Sequence, residues 1–341
     1  MTRKINNSYE LGQSNAPTDG GDMLKTRGDG TLVWEGVADT TYVTKWYGDR
    51  AVGASGNGSH NEIQYLSISS AGNGVDFGDL TETSHGCDAL SNGSRGIFAS
   101  LGSSCSNHST INYVTIGTPS NATDFGDKNV GSLLGGCTSD GSRGVIAGGH
   151  MCGSNGNTDA MEYITIATLG NGTDFGNLTV SRANCRGAND STRGLTMGGI
   201  TYGPSFHDTI DYHTIQTTAN ATDFGNLTQA SHGGGACSNG TRALMMGGQY
   251  SGGCSYSNVI DYVTIQTTSN STDFGDLASS YCGGRGYCTA TSNGTGDRGM
   301  VFGGSGSQTS SEYVTISTTG DATSGGTLIN QSYNTGYTSG D

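Results

Sequence analysis

The feature that most constrains this chain is an internal repeat with a period close to fifty residues. A Tyr-x-Thr/Ser-Ile segment and an Asp-Phe-Gly triplet follow one another at nearly constant spacing. The tyrosines are Tyr65, Tyr113, Tyr163, Tyr212, Tyr262 and Tyr313, and the triplets are centred on Phe77, Phe125, Phe175, Phe224 and Phe274. Successive phenylalanines lie 48, 50, 49 and 50 residues apart, and the sixth copy reads Thr323-Ser324-Gly325 instead. Such a period indicates structural repeats that bury their faces against their neighbours.

Each repeat reads as four short strands. In residues 143–190, an apolar run at 144–149 ends in two glycines, and an alternating segment follows at 161–166. A turn at Asn171-Gly172 leads into a short strand at 173–178 that carries one aromatic residue. Because no window of the chain has the periodicity of an amphipathic helix, we predict an all-β protein. Six units of four short strands predict a six-bladed β-propeller.

The same residues resemble the kelch repeat. Arg143-Gly-Val-Ile-Ala-Gly-Gly, followed by Glu162-Tyr163 and later by an aromatic residue, is similar to the kelch pattern, and the likeness covers residues 50–341. Two features depart from it: phenylalanine stands where kelch blades carry a late tryptophan, and the first two units lack the Gly-Gly pair. The resemblance implies a propeller over residues 47–341.

The two ends of the repeat region indicate how the ring closes. Asp341 occupies the repeat position just before the arginine that begins the other units. Asp49 occupies the same position, directly before Arg50. We therefore predict that residues 329–338 supply the innermost strand of the blade whose other strands come from residues 50–80. A closed ring leaves fewer exposed strand edges for aggregation.

Residues 1–46 lie outside the repeat. Residues 20–34 read as two short strands around Asp29-Gly30, and a lone hairpin is marginally stable in water. The segment is similar to attachment segments at the start of phage structural proteins. We predict that it attaches the chain to another copy of itself or to a larger assembly. The candidate attachment residues are Met23, Leu24, Leu32 and Trp34.

Charge and hydropathy disfavour several classes of partner. The chain has 15 Lys and Arg against 29 Asp and Glu, for a net charge of -14, so nucleic acid and anionic membrane surfaces are poor partners. No apolar run approaches the roughly 18 residues of a membrane span, and we predict no membrane insertion. The first residues also lack the apolar core of a signal peptide. We expect synthesis in a cytosol and release by another route, such as within a virus particle.

The cysteines and histidines do not form a recognisable reactive motif. Nine cysteines cannot all pair within one chain, and their spacings match no zinc site, so we expect mostly buried thiols. Four of the seven histidines fall in the loops after the Gly-Gly positions, without the spacing of a known catalytic motif. A catalytic triad assembled from residues of different blades remains an alternative. We predict no metal, no cofactor and no catalytic residue.

Two sets of repeated polar residues have alternative interpretations. The asparagines before Asp-Phe-Gly, such as Asn171, lie in turns that Asx hydrogen bonds explain, although calcium and N-glycosylation fit the same residue types. The arginine that begins each unit could line the central channel or bond carbonyls of the next blade. We favour turn chemistry for the first set and bonds between blades for the second.

The loops after the Gly-Gly positions are where the repeats differ most. Adjacent connections in a blade emerge at opposite ends, so these loops share one end with the segments that follow Asp-Phe-Gly. Binding residues usually lie on variable loops of a rigid scaffold, and aromatic side chains can stack on sugars or anchor a protein. The alternative is that the aromatics only cover the blade ends. The candidate residues are His150, Met151, Tyr202, Phe206, His207, Tyr250 and Tyr256.

These features favour a non-enzymatic structural protein of a bacterial virus, in its virion or in an appendage such as a tail fibre. The propeller is expected to bind a host surface glycan or protein, and residues 1–46 to bind other virion proteins. A cytosolic interaction module is the first alternative. The second is a glycan hydrolase or oxidase, which would need paired carboxylates or copper ligands in a cleft.

Overall fold

The computed structural model describes residues 22–26, 32–36, 45–54, 60–84, 86–102, 108–151, 156–203, 205–278, 281–306, 308–330 and 336–340. Contacts divide the chain into two compact units, Met1–Val43 and Thr44–Asp341, so Lys45 and Trp46 group with the second unit rather than with the predicted attachment segment. The described residues form strands and two single 3-10 turns, Tyr281–Gly283 and Gly294–Gly296. The all-β prediction is confirmed. None of the described segments is a helix of the length and apolar character that a membrane span requires.

The first unit contains an antiparallel hairpin of β1 (Asp22–Thr26) and β2 (Leu32–Gly36). Leu24 pairs with Trp34 and Thr26 pairs with Leu32. The predicted hairpin is confirmed. The role of Met23, Leu24, Leu32 and Trp34 in attachment stays a prediction.

The second unit contains six four-stranded antiparallel sheets, whose strands are named below from the innermost outward. Blade 1 consists of β30 (Tyr337–Gly340), β3 (Arg50–Ala54), β4 (Glu62–Ser67) and β5 (Val75–Asp79). Blade 2 consists of β6 (Asp88–Ser91), β7 (Arg95–Leu101), β8 (Thr110–Thr115) and β9 (Thr123–Asp127). Blade 3 consists of β10 (Gly136–Ser139), β11 (Arg143–Ala147), β14 (Ala160–Thr165) and β15 (Thr173–Asn177).

The remaining three blades have the same order. Blade 4 consists of β16 (Arg186–Asn189), β17 (Arg193–Met197), β20 (Thr209–Thr214) and β21 (Thr222–Asn226). Blade 5 consists of β22 (Gly235–Ser238), β23 (Arg242–Met246), β24 (Val259–Thr264) and β25 (Thr272–Asp276). Blade 6 consists of β26 (Thr289–Ser292), β27 (Arg298–Phe302), β28 (Ser310–Thr315) and β29 (Thr323–Thr327). Each innermost strand contacts those of both neighbouring blades, so the chain forms a six-bladed propeller.

The C-terminal strand closes the ring inside blade 1. It pairs antiparallel with β3, with Arg50 opposite Gly340 and Val52 opposite Thr338. The predicted closure is confirmed, but the predicted range of 329–338 is wrong because the strand is Tyr337–Gly340. Ile329 still lies at the outer edge between blades, where its backbone N–H donates to Gln64 Oε1 at 2.8 Å.

The hydrophobic core lies between adjacent blades. The second and third strands carry buried aliphatic residues on both faces in every blade except blade 4, where one face carries Thr196, Asp211 and His213. The Asp-Phe-Gly phenylalanines are also buried. Five blades repeat an edge-to-face pair between this phenylalanine and the tyrosine of the third strand, with ring centroids 5.9–6.3 Å apart. The repeated tyrosine and phenylalanine are therefore scaffold residues.

Six arginines join the blades into a ring. In each blade the guanidinium lies 4.2–4.9 Å from the ring centroid of the repeated tyrosine. Its Nη1 donates to the carbonyl that follows the third strand of the next blade, at 2.8–3.4 Å. The pairs are Arg50–Ile116, Arg95–Ile166, Arg143–Ile215, Arg193–Ile265, Arg242–Ile316 and Arg298–Ile68. The interpretation as bonds between blades is confirmed.

The turn asparagines also act between blades. The side-chain oxygens of Asn121, Asn171, Asn220 and Asn270 each accept the backbone N–H of a residue in the outermost strand of the preceding blade, at 3.0–3.1 Å. Gly176 shows why the triplet ends in glycine: its φ is +141°, and a Cβ there would lie 2.4 Å from the Ala219 carbonyl oxygen. Turn chemistry therefore accounts for the repeated asparagines.

A ring of side-chain hydrogen bonds surrounds the central channel. At the end of each innermost strand, a serine or asparagine donates to a backbone carbonyl of the adjacent blade. The donors are Ser91, Ser139, Asn189, Ser238, Ser292 and Ser339. Trp46 lines the channel at the same end, and its carbonyl also accepts from Ser91 Oγ at 2.7 Å. The C-terminal strand thus completes this ring through Ser339.

His213 is a buried histidine at a position where the other blades carry Leu66, Val114, Ile164, Val263 or Val314. Burial lowers the pKa of His213 to about 4. Since the folded-state pKa lies below the ordinary value, the stability from this group is present above about pH 6.5 and is lost as the pH falls towards 4.

Replacing His213 with isoleucine should remove this loss. Between pH 7 and pH 4, the wild type should lose about 3 kcal/mol more unfolding free energy than the His213→Ile variant. Urea unfolding at a series of pH values measures the difference, in which the titrations common to both proteins cancel. Parallel pH profiles for the two proteins would show that His213 does not contribute.

Candidate functional site

The two ends of the propeller differ in regularity. One end, which we call the loop face, carries residues 148–151, 156–159, 198–203, 205–208, 247–258 and the segments after Asp-Phe-Gly. The other end, which we call the turn face, carries the short turns at 167–172 and their counterparts in other blades. The loops after Gly-Gly meet the segments after Asp-Phe-Gly, as in the bridges from Ala183 to Ile200 and from His232 to Gln249.

A cavity of about 460 Å³ opens on the loop face, and its lining residues come from the part of the ring that runs from blade 3 through blades 4 and 5 to the segment entering blade 6. Its volume falls within the roughly 300–1,000 Å³ of small-molecule sites. Its walls are mainly aromatic and aliphatic, with several amides and hydroxyls, and none of its described lining residues is Asp, Glu, Lys or Arg. The lining residues with the clearest ligand-binding chemistry are His150, Asn184, Tyr202, Phe206, His232 and Tyr287.

Two small hairpins form one wall of the cavity. They are β12 (His150–Met151) with β13 (Gly156–Asn157), and β18 (Ile200–Thr201) with β19 (Ser205–Phe206). The His150 and Tyr202 rings stack at 5.3 Å with an interplanar angle of 12°. Asn157 Nδ2 donates to the Ile200 carbonyl at 2.6 Å and joins the two hairpins. Tyr202 is 65% exposed, so one face of this stack is accessible to a ligand.

A chain of aromatic contacts around His232 continues this wall. Its ring lies 5.3 Å from Phe206 and 5.4 Å from Tyr287. Tyr287 Oη donates to Gln249 Oε1 at 2.7 Å, and Gln249 Nε2 donates to the Gly253 carbonyl at 2.6 Å. These hydrogen bonds fix the polar groups of this wall within the protein.

Two polar atoms of the cavity have no partner among the described residues. They are the buried Asn184 Oδ1 and His232 Nδ1. Burial, together with the charge of Arg186, lowers the pKa of His232 to about 4, so the imidazole is neutral at neutral pH. Most buried polar atoms in proteins have a hydrogen-bond partner. Both atoms have almost no accessible surface, so a ligand in the cavity reaches them only if the groups that cover them shift.

A disulfide stabilises the periphery of the site. Cys254 in the loop of blade 5 is bonded to Cys282 in the segment that leads into blade 6. Beside it, Tyr256 stacks on Tyr281 at 6.1 Å and contacts Tyr287 edge-on at 6.3 Å. The expectation of buried thiols is wrong for these two cysteines, because two separate segments of the loop face bring them together.

The other described cysteines are free thiols. Cys87, Cys185, Cys237 and Cys288 are buried and Cys137 is half-buried, whereas Cys105 and Cys152 lie outside the described residues. Burial raises the pKa of Cys87 and Cys237 to about 12 and that of Cys185 and Cys288 to about 11. These four thiols stay protonated at neutral pH and are poor nucleophiles.

The structure brings three of the predicted ligand residues together and leaves four outside the cavity. His150, Tyr202 and Phe206 line it. The other four lie outside its lining: Met151 is half-buried, His207 bonds Thr201 Oγ1 at 2.6 Å, Tyr250 is exposed, and Tyr256 packs on Tyr281 and Tyr287. Burial also lowers the pKa of His207.

Asn184, His232 and Tyr287 are not among the predicted ligand residues. All three lie on the segments after Asp-Phe-Gly. His232 stands where blades 3 and 4 have Leu133 and Ala183 in the equivalent bridge. The first unit carries a histidine at the same place in the sequence, His85, so residue type alone did not mark His232.

One cluster outside the cavity has residue types found in catalytic sites. Ser100 Oγ donates to Asp88 Oδ2 at 2.7 Å, and Lys128 Nζ donates to Ser100 Oγ at 2.8 Å. Burial raises the pKa of Asp88 and lowers that of Lys128. Ser100 is 0% exposed, so a substrate cannot reach its hydroxyl in this conformation. The cluster joins blades 2 and 3.

In the described part of the chain, no three His, Cys, Asp or Glu side chains are grouped closely enough to hold a metal ion. Comparisons with known protein-family models and with curated proteins found no match to this chain.

Proposed function

We propose that this protein is a non-enzymatic structural protein of a bacterial virus, located in the virion or an appendage such as a tail fibre. The loop face of its propeller binds a glycan or protein on the host surface. Residues 1–46 attach it to other virion proteins or to further copies of itself. The observation that carries the proposal is the uncharged aromatic cavity on the most variable end of an otherwise regular ring.

The distribution of variation supports a binding role for the loop face. Bonds between blades use residues that recur in nearly every unit, such as Arg143 and Asn171. By contrast, the hairpins of blades 3 and 4 and the disulfide-linked loop of blade 5 differ from one another. A rigid scaffold with variable loops at one end is suited to recognition.

The kelch-like relationship and the viral origin are part of the proposal. The paired Gly148 and Gly149 end the second strand with φ values of +72° and +118°, which suits a kelch-like blade. The acidic, Gly-rich composition and the separate N-terminal hairpin support a particle protein. Mass spectrometry of purified virus particles from the source culture tests this: recovery only in the soluble host fraction would favour the cytosolic interaction module.

The binding face is tested by removing its accessible aromatics. The triple variant Tyr202→Ala, Phe206→Ala, Tyr250→Ala should lose at least tenfold in affinity for host cell envelopes, with little change in melting temperature. Tyr202 and Tyr250 are exposed, and Phe206 lies at a cavity wall, so their loss should leave the core between the blades intact.

A matched control removes exposed apolar residues from the turn face. Val75 and Leu169 are 48% and 54% exposed; Val75 begins the fourth strand of blade 1, and Leu169 lies in the connection between the third and fourth strands of blade 3. The double variant Val75→Ala, Leu169→Ala should bind envelopes as the wild type does. Loss of binding in this control, with full binding in the triple variant, would place the site on the turn face.

A further inference from the structure

We infer that the loop-face cavity takes an uncharged saccharide, with one sugar ring against the Tyr202 and Phe206 side chains and hydroxyl groups that reach Asn184 Oδ1 and His232 Nδ1 once the groups covering these atoms shift. The inference rests on the proposed function and narrows its ligand from a surface glycan or protein to a neutral sugar. It also adds two residues, Asn184 and His232, as determinants of specificity.

The shape of the site favours a small ligand over a protein surface. Protein partners usually bury about 800 Å² on each side of an interface, which needs a broad patch. In this cavity the accessible groups converge on a concave space of about 460 Å³. A short saccharide can enter such a space, whereas a folded protein would need to insert a protruding loop.

The charge of the site favours a neutral ligand. None of the described lining residues carries a carboxylate, ammonium or guanidinium group, and the His232 imidazole is neutral because burial lowers its pKa. A buried charge without a partner of opposite sign is costly. A sialylated, phosphorylated or uronic-acid sugar would find no counter-charge in this lining.

The remaining hydrogen-bonding capacity favours hydroxyl groups. Asn157, Gln249 and Tyr287 already use polar atoms in bonds within the protein. Asn184 Oδ1 can only accept, so the ligand must supply a donor there. His232 Nδ1 accepts or donates according to its tautomer, and a hydroxyl matches either state. The hydroxyl groups of a saccharide can both donate and accept, so they suit each of these atoms.

The aromatic walls supply the matching apolar contact. The accessible face of Tyr202, which stacks on His150, and the Phe206 ring lie on the same hairpin. Aromatic rings combine a large contact area with a rigid shape, and the C–H face of a sugar ring is an apolar surface of suitable size. The cavity therefore offers both contacts that a neutral sugar needs.

The test is titration calorimetry of the full-length protein with neutral monosaccharides and short neutral oligosaccharides. Two variants remove the polar contacts. Asn184→Gly deletes the amide at a residue with φ of +52°, a conformation that glycine adopts without strain. His232→Phe keeps a ring between Phe206 and Tyr287 but removes Nδ1. Each variant should weaken binding at least tenfold.

The control is His213→Ile, which replaces another buried histidine outside the cavity lining. It should bind the sugar as tightly as the wild type, and circular dichroism melts should show all variants folded at the titration temperature. Full-strength sugar binding by Asn184→Gly and His232→Phe would overturn the inference. A preference for acidic sugars, or for nucleosides over neutral sugars, would overturn it as well.

The inference and the proposed function fail in different ways. If no neutral sugar binds or competes, while the triple aromatic variant still loses envelope binding, the inference is wrong and a protein ligand on the loop face is favoured. If the triple variant binds envelopes at full strength, the proposed binding face is wrong.

Discussion

A chain that lacks residues 336–341 is expected to lose cooperative folding of the propeller. Tyr337 is buried and stacks on Phe302 with ring centroids 4.3 Å apart, and the strand fills the innermost position beside β3. Loss of one buried aromatic costs about 3–5 kcal/mol, and the deletion also opens the serine ring at Ser339. We expect a loss above about 5 kcal/mol, which is comparable with the whole stability of many domains.

Differential scanning calorimetry measures this effect. The matched control deletes residues 1–43, which form a separate unit by their contacts, and it should leave the propeller transition within a few degrees of the wild type. The shortened C-terminus should lower the transition by at least about 10 °C or abolish it. A cooperative transition at the wild-type temperature would contradict closure by β30.

The second large effect is expected for Asp211→Asn. Asp211 and Arg182 are both 0% exposed, and Arg182 Nη1 donates to Asp211 Oδ2 at 2.9 Å. Asp211 also accepts from the backbone N–H and hydroxyl of Thr179 in the preceding blade. Neutralising Asp211 leaves the guanidinium charged and buried without its partner. Breaking such a pair costs about 3–5 kcal/mol, and chemical denaturation should show that loss.

Asp261→Asn provides the contrast, because Asp261 occupies the equivalent position in blade 5. It accepts the same pair of bonds from Thr228, but among the described residues no Lys or Arg forms an ion pair with it. Burial raises its pKa, so stability falls as the pH rises from the ordinary value of this carboxyl through the raised pKa, and the full loss is present above it. Asparagine already serves this role in blade 2, where Asn112 Oδ1 accepts from Thr81.

We therefore expect Asp261→Asn to leave stability at pH 7 unchanged or to raise it. Equal losses for the Asp211 and Asp261 variants would contradict this account of the buried carboxylates. The difference in unfolding free energy between the two variants separates the cost of an unpaired arginine from the general effect of removing an acidic side chain.

The regular part of the fold was predictable because its determinants repeat. A tyrosine, an Asp-Phe-Gly triplet and an arginine at one period fix strand number and blade number, and each proves to contact the same partner in blade after blade. The closing strand was misplaced because the prediction began it directly after Leu328. The equivalent connection in the blade 3 unit, from Leu178 to Arg186, already spans eight positions before the innermost strand begins.

The candidate site was only partly predictable for a related physical reason. Tyr202 and Phe206 stood out as aromatics in loops of variable sequence. Asn184 and His232 act through the absence of an internal partner for one buried atom, which depends on packing between separate blades. The Cys254–Cys282 pair likewise depends on two loops, one after the second and one after the fourth strand of blade 5, that meet only in the folded blade.

The central claim is that ligands bind at the loop face. Amide hydrogen exchange of the full-length protein, with and without an excess of isolated host envelope polysaccharide, tests it most directly. We predict slower exchange in residues 200–203, 205–207, 231–234 and 284–288, and unchanged exchange in the turns at 167–172 and 216–221. Protection confined to those turns, with none at the loop face, would contradict the account.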